Sequence, residues 1–210
     1  MKLYALLPSP NTFKVVALAH HLGLDLEVVD VDVASGGNRA LDYLAKNPNG
    51  LMPTLEDGDF TLWESNAILM YLAQKKPESG LWPADAHGQA KVQQWLNWAA
   101  IHFGPAIRPF FFERIVKARF GLGAPDEAEL KKATDAFPKV GDVLEAQLKN
   151  QPYLLGEQVT IADFALASFA PYAKMAGMPL ENYPNIQAYC GRVTGTEAWK
   201  KALSFMAAMK

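Results

Sequence analysis

The stretch Lys2-Leu3-Tyr4-Ala5-Leu6-Leu7-Pro8-Ser9-Pro10-Asn11-Thr12-Phe13-Lys14-Val15 runs on through Val16-Ala17-Leu18-Ala19-His20-His21-Leu22-Gly23 to Glu27-Val28-Val29-Asp30-Val31-Asp32. Leu3 to Leu7 is a short apolar run closed by Pro8 and Pro10, the pattern of a buried strand. Asn11 or Thr12 is placed to cap a helix over residues 12–22. Val15, Leu18, Ala19 and Leu22 have the i, i+3, i+4, i+7 spacing of one buried helix face. Gly23 suits the position just past the helix end. Glu27 to Asp32 is rich in β-branched residues and reads as a second strand. Strand, helix and strand joined by short links imply a parallel βαβ unit with a right-handed crossover.

Outward from this unit, Ala34 to Asn38 reads as a loop and Ala40 to Ala45 as a short helix. Pro53 to Asp57 and Phe60 to Trp63 flank Gly58-Asp59, a hairpin signal. Glu64 to Ala73 returns to helical spacing, with Ile68, Leu69 and Leu72 on one face. The order is therefore βα-β-α-ββα. Lys75 to Pro83 reads as a link, and everything after it looks helical. Val92, Trp95, Leu96, Ala99 and Phe103 mark a helix within 90–120, which Pro105 and Pro109 are expected to kink or break, an interior proline costing ~3 kcal/mol. Leu130 to Leu148 is a further amphipathic stretch with Pro138 as an interruption, and Ile161 to Met175 reads as one mostly apolar helix. Short helices are expected around Ile186–Val193 and Glu197–Met206. The fold class is α/β followed by all-α: an N-terminal domain over 1–78, a link over 79–86 and an all-helical domain over 87–210.

Composition narrows the function classes. The 210 residues carry 20 basic and 22 acidic side chains, a net charge of −2, which argues against a nucleic-acid partner. Half the residues are hydrophobic and a fifth are charged, as in ordinary globular proteins. One cysteine, Cys190, cannot form an internal disulfide or a cysteine metal cluster. No apolar run reaches the ~18–20 residues that cross a bilayer, and the N-terminal apolar stretch is short for a signal peptide. The expectation is a cytoplasmic protein with no membrane partner. His20, His21, His87 and His102 have no metal-ligand spacing, so no metal is expected.

Three local features carry chemistry. At Ser9-Pro10-Asn11 a hydroxyl and an amide sit where a helix begins, and its free N–H groups and dipole favour an anion. A thiolate there is stabilised and its pKa falls. Ser9 and Asn11 also read as plain helix caps. At Leu51-Met52-Pro53-Thr54 a proline opens a strand; most such bonds are trans, whereas a cis bond would turn the peptide groups of Met52 outward to pair with an extended ligand. At Glu64-Ser65 a carboxylate and a hydroxyl precede a helix and could hold the ammonium and carboxylate of an amino-acid head group, although Ser65 too reads as a cap. A fourth feature, Thr160 to Asp163, resembles a capping box and is expected to serve folding.

Ser9-Pro10-Asn11-x-x-Lys14-Val15, Asn47-Pro48-Asn49-Gly50-x-x-Pro53, Glu64-Ser65-x-Ala67-Ile68 and Thr160-Ile161-Ala162-Asp163, in this order, give the chain a resemblance to the glutathione transferase family over essentially its whole length. The details look most like bacterial and fungal members with a Ser/Thr-Pro-Asn motif. The resemblance implies a thioredoxin-like N-terminal domain, a homodimer, and glutathione as co-substrate with no tightly bound cofactor. It implies that Ser9 activates the glutathione sulfur, with Asn11 a second candidate, and that Met52 pairs with the cysteinyl backbone ahead of a cis Pro53. It assigns Glu64 and Ser65 to the γ-glutamyl group. The family often has Lys or Gln two residues before Pro53 to help hold the glycine carboxylate; Leu51 stands here, leaving Asn38, Arg39 or Lys14 for that role.

The implied reaction is attack of the glutathione thiolate on a hydrophobic electrophile, in a pocket to which the first long helix of the second domain would contribute His102, Phe103, Arg108 and Phe112. Aromatic residues on such a helix also read simply as core. Two alternatives share the fold: a glutathione-dependent disulfide reductase or peroxidase, and a non-catalytic binding protein, which Leu51 favours. A reductase using its own thiol at the first motif is disfavoured, because Cys190 lies far along the chain. The absence of Cys-x-x-Cys argues against a thioredoxin-type oxidoreductase.

Overall fold

The computed structural model describes residues 1–7 and 9–208. Pro8, read above as closing the first strand, lies outside the described residues. Contacts divide the chain into two units, one of residues 1–84 with 195–210 and one of residues 85–194.

The first unit contains β1 (Lys2–Ala5), α1 (Pro10–His21), β2 (Glu27–Asp30), a 3₁₀ turn (Gly37–Arg39), α2 (Leu41–Leu44), β3 (Thr54–Asp57), β4 (Phe60–Trp63) and α3 (Ser65–Gln74). The sheet order is β2-β1-β3-β4. β1 runs parallel to β2 and antiparallel to β3, placing Leu3 opposite both Val28 and Leu55. β3 and β4 form the expected hairpin, with Gly58 at φ 65° in its turn. The element order is the one the sequence pattern implied, and the mixed sheet with helices is the thioredoxin-like domain that the resemblance implied.

The second unit is helical. Its helices are α4 (Ala86–Trp98), α5 (Gly104–Phe111), α6 (Lys117–Phe120), α7 (Glu127–Ala136), α8 (Pro138–Gln147), α9 (Ile161–Leu166), α10 (Ala170–Ala176) and α11 (Pro184–Thr194). The break expected at Pro105 and Pro109 does not occur: the chain stays helical from α4 to α6 through two π-turns, Ala99–Phe103 and Phe112–Val116. Proline lacks an N–H, and its ring strikes the carbonyl four residues back. The widened turn ahead of Pro105 accommodates this by bonding the Gly104 N–H to the Ala99 carbonyl instead. Pro138 does separate α7 from α8. The single helix expected over Ile161–Met175 is divided by a 3₁₀ turn, Ala167–Phe169, because Pro171 restarts the helix as the second residue of α10. Asp163 is fully buried and accepts the backbone N–H of Leu154 at 2.9 Å and of Thr160 at 2.7 Å, the anchoring role read from the motif.

The last helix, α12 (Glu197–Ala208), belongs to the first unit and packs along α1. Trp199 is fully buried, edge-on to the Phe13 ring with centroids 4.9 Å apart. With α3 and α12 both against it, α1 is buried at every residue from Thr12 to Ala19, not along a single face. Among the described residues no helix is long and apolar enough to cross a membrane.

Candidate functional site

Ser9 is the N-cap residue of α1, extended at φ −142° and ψ 129°. Its carbonyl accepts the Phe13 N–H at 2.8 Å, but its side chain makes no capping bond. Pro10 opens the helix, where its missing N–H costs nothing. The hydroxyl that would ordinarily cap the helix is therefore not spent on it, and it lies at the positive end of a twelve-residue dipole. Two residues on, Asn11 is exposed, and its Oδ1 accepts the Ser65 hydroxyl at 3.3 Å. That contact orients the Asn11 amide so that its NH₂ is the remaining donor.

Ser65 is the first residue of α3, and Glu64, not Ser65, occupies the N-cap. Glu64 sits at φ 70° and ψ 110°, the one non-glycine residue with positive φ among the described residues. Its carbonyl accepts the Ile68 N–H at 3.0 Å. A second link joins the two helices one turn deeper: Lys14 Nζ donates to Asn66 Oδ1 at 2.7 Å. Lys14 is 5 % exposed. Burial lowers its pKa to about 7, partly opposed by the nearby Glu64 carboxylate.

The third part is the loop into β3, where the Met52–Pro53 bond is cis. Buried Asn47 holds this loop: its Nδ2 donates to the Leu51 carbonyl at 2.8 Å and to Thr54 Oγ1 at 3.1 Å, and its Oδ1 accepts the Asn49 N–H at 3.1 Å. The Tyr43 hydroxyl donates to the Leu51 carbonyl at 2.7 Å. Gly50, at φ 62°, is required twice over, because a Cβ would meet the Asn38 carbonyl at 2.8 Å and Arg39 Nη1 at 2.9 Å. Asn38 Nδ2 donates to the Gly50 carbonyl at 2.9 Å, and exposed Arg39 lies against the same loop, its Nη1 3.5 Å from the Asn49 carbonyl. Leu51 is 61 % exposed.

The structure thus brings Ser9, Asn11, Glu64 and Ser65 to the adjoining starts of α1 and α3, and Asn38 and Arg39 to the loop before Met52 and Pro53. Asn47 and Tyr43 organise that loop and were not singled out as candidates; an asparagine ahead of a Pro-Asn-Gly turn was the available signal. In the helical unit His102 and Arg108 are exposed and Phe112 is 39 % exposed. Phe103 is 2 % exposed and packed between Trp98 and Phe169, so it serves that unit's own core. Cys190 is buried on α11, and burial pushes its thiol up to about 12, which leaves it unreactive. Among the described residues no three His, Cys, Asp or Glu side chains converge as a metal-binding set.

Residues 1–74 match the family model described as glutathione S-transferase, N-terminal domain, and residues 97–197 the model described as glutathione S-transferase, C-terminal domain. The chain is 37 % identical to glutathione S-transferase 3 of Zea mays, over 97 % of this chain and 93 % of that protein. It is similar to the crystal structure of a glutathione S-transferase from Pseudomonas fluorescens, at 35 % identity and TM-score 0.83, over 94 % of this chain and 96 % of the other. It is also similar to the structure of glutathione S-transferase-I bound with lactoylglutathione, at 27 % identity and TM-score 0.87, over 97 % and 98 %.

Proposed function

The chain belongs to the glutathione S-transferase family, and from that premise we propose that the joined starts of α1 and α3 hold glutathione and activate its sulfur for attack on a hydrophobic electrophile. The γ-glutamyl group meets α3: its ammonium pairs with Glu64, and its carboxylate accepts the first N–H groups of the helix and the Ser65 hydroxyl, which exchanges Asn11 Oδ1 for the ligand. The cysteinyl backbone pairs with the peptide groups of Met52, next to the cis bond to Pro53. The sulfur lies at the N-terminus of α1, where the Ser9 hydroxyl and the Asn11 amide donate to it. The glycine carboxylate falls to Arg39, because Lys14 is buried against Asn66 and the Asn38 amide is bonded to Gly50. Leu51, at the position often basic or amide-bearing in relatives, adds no charge there.

The observation that carries this reading is the contact of Ser65 Oγ with Asn11 Oδ1, beside a Ser9 hydroxyl not spent on capping. It supports the reading because it brings the residue assigned to the γ-glutamyl group beside one assigned to the sulfur. Donors and dipole favour thiolate over thiol, each pKa unit of lowering being worth ~1.4 kcal/mol. The sulfur lone pair then forms a bond to the electrophilic carbon, and the leaving group departs with its bonding electrons. The relative bound with lactoylglutathione supports a site that accepts glutathione carrying an acyl group. The buried, high-pKa thiol of Cys190 weighs against a reductase working through a protein thiol. A glutathione domain over 1–78, His102, Arg108 and Phe112 of the helical unit as contacts of the electrophile, a homodimeric assembly and a cytoplasmic location complete the proposal.

Calorimetric titration tests it. Wild type is expected to bind glutathione, and Ser65→Ala to bind roughly tenfold more weakly with its melting temperature unchanged, the loss expected of a hydrogen bond to a charged group. No binding by wild type would remove the transferase reading and make Leu51 the decisive departure.

A further inference from the structure

Three charged side chains are buried among the described residues: Lys14, Glu113 and Asp163. Glu113 is paired with Lys117 and accepts the Asp126 N–H at 2.6 Å, and Asp163 accepts two backbone N–H groups. Both anchor turns of the helical unit. Lys14 differs, since its hydrogen-bond partner is the neutral amide of Asn66 and among the described residues it has no ion pair within bonding distance. A buried ammonium so poorly compensated is costly. It stands on α1 three residues after Asn11, and it reaches α3 one residue after Ser65. Asn11–Ser65 and Lys14–Asn66 are therefore two successive rungs between the same two helices.

We infer that Lys14 is a positioning residue of the glutathione site, its buried ammonium bonded to Asn66 holding the sulfur-activating start of α1 against the γ-glutamyl-binding start of α3. This rests on the reading given under Proposed function. The outer rung is exposed and closed by one 3.3 Å contact, so it is open to competition from water. The inner rung is shorter, at 2.7 Å, and its lysine end is buried. When Lys14 is protonated it donates to Asn66 as a charged group, the stronger form of the bond. It also places a positive charge behind a ligand that carries two carboxylates and one ammonium. When it loses its proton, the bond becomes that of a neutral amine and the charge behind the ligand disappears.

That protonation changes near neutrality, because burial lowers the Lys14 pKa to about 7. Among the charged groups on elements packed against α1, Glu64 at the start of α3 is the one that acts on it. On α12, Lys201 acts on His20 and Glu197 pairs with Lys200. On β1, Lys2 pairs with Glu27, and Tyr4 donates to Glu56. An anionic ligand favours the protonated lysine, so the device strengthens binding below the pKa and relaxes it above.

The test uses S-methylglutathione, which has no thiol to titrate, in calorimetry on the full chain between about pH 6 and about pH 8. Wild type is expected to lose affinity several-fold as pH rises across this range. Lys14→Met is expected to bind about tenfold more weakly at the lower pH and to have lost most of that slope. Lys14→Arg, charged throughout, is expected to bind with a flat profile and to be the tighter of the two variants at the higher pH. A purely structural role for Lys14 would lower affinity without moving the slope. A folded Lys14→Met with the affinity and pH profile of wild type overturns the inference alone. Wild type that fails to bind S-methylglutathione at either pH overturns it together with the reading of the pocket.

Discussion

Glu64 holds a backbone conformation, φ 70° and ψ 110°, that side-chain-bearing residues rarely adopt and that costs about 1–3 kcal/mol. It is maintained between the end of β4 at Trp63 and the first helical bond of α3 at Ile68. Lys14, fifty residues away in sequence and one bond away from Asn66, adds a second local cost. Its folded pKa of about 7 lies below the ordinary value of 10.5, so the unfolded chain binds more protons between those limits. The contribution of Lys14 to stability therefore rises with pH from about 7 towards 10.5, and its burial cost is fully present below 7. Lys14→Met keeps the apolar stem and removes the charge, so it is expected to unfold later than wild type at about pH 6, with the gap narrowing at about pH 9. Denaturant titration at the two pH values measures this, and a variant less stable than wild type by the same amount at both would contradict it. Ser9, Asn11, Glu64 and Ser65 were legible in the sequence because polar residues at helix starts have few roles. Lys14 was legible as part of a motif but not as a buried group: the apolar spacing on α1 defines one face, and lysine is ordinarily exposed.

At the scale of elements, strand and helix order followed from apolar spacing and turn residues, and the first unit has the order that spacing gave. The helical unit departs from expectation where proline meets an already formed helix. Pro105 was read as a break from its lost N–H, but a π-turn upstream redirects the bond of Gly104 to Ala99 and the helix continues. Spacing alone cannot show this, since the compensation lies in backbone geometry. Gly104 is the part of it that can be tested, because a Cβ there would stand 2.9 Å from the Ala99 carbonyl. Gly104→Ala is expected to destabilise the protein by about 1–3 kcal/mol, against the gain of up to about 1 kcal/mol that the same change brings in an ordinary helix. Thermal melting distinguishes the two, and a stabilised variant would show that the turn has no need of glycine. The loop ahead of Pro53 has a similar logic: Asn47, Tyr43 and Gly50 fix the backbone on which Met52 is presented, so the motif carries scaffold as well as contact residues.

For the whole molecule, the feature sequence patterns missed is the return of the chain's last helix to the first unit. α12 packs along α1, with Trp199 on Phe13, and α3 packs against it too, so that α1 is buried from Thr12 to Ala19, Lys14 included. Local periodicity could place a helix at Glu197 but not say which unit it joins. The proposed site therefore has its two halves, at the starts of α1 and α3, on a unit built from both ends of the sequence. The central claim is that these two helix starts lower the pKa of a bound glutathione thiol, and ultraviolet titration of the thiolate on the enzyme measures that directly. The account predicts a bound thiol at least about one pKa unit more acidic than free glutathione, moving back towards the free value in Ser9→Ala. A bound thiol that titrates as free glutathione does, in wild type and Ser9→Ala alike, would contradict it.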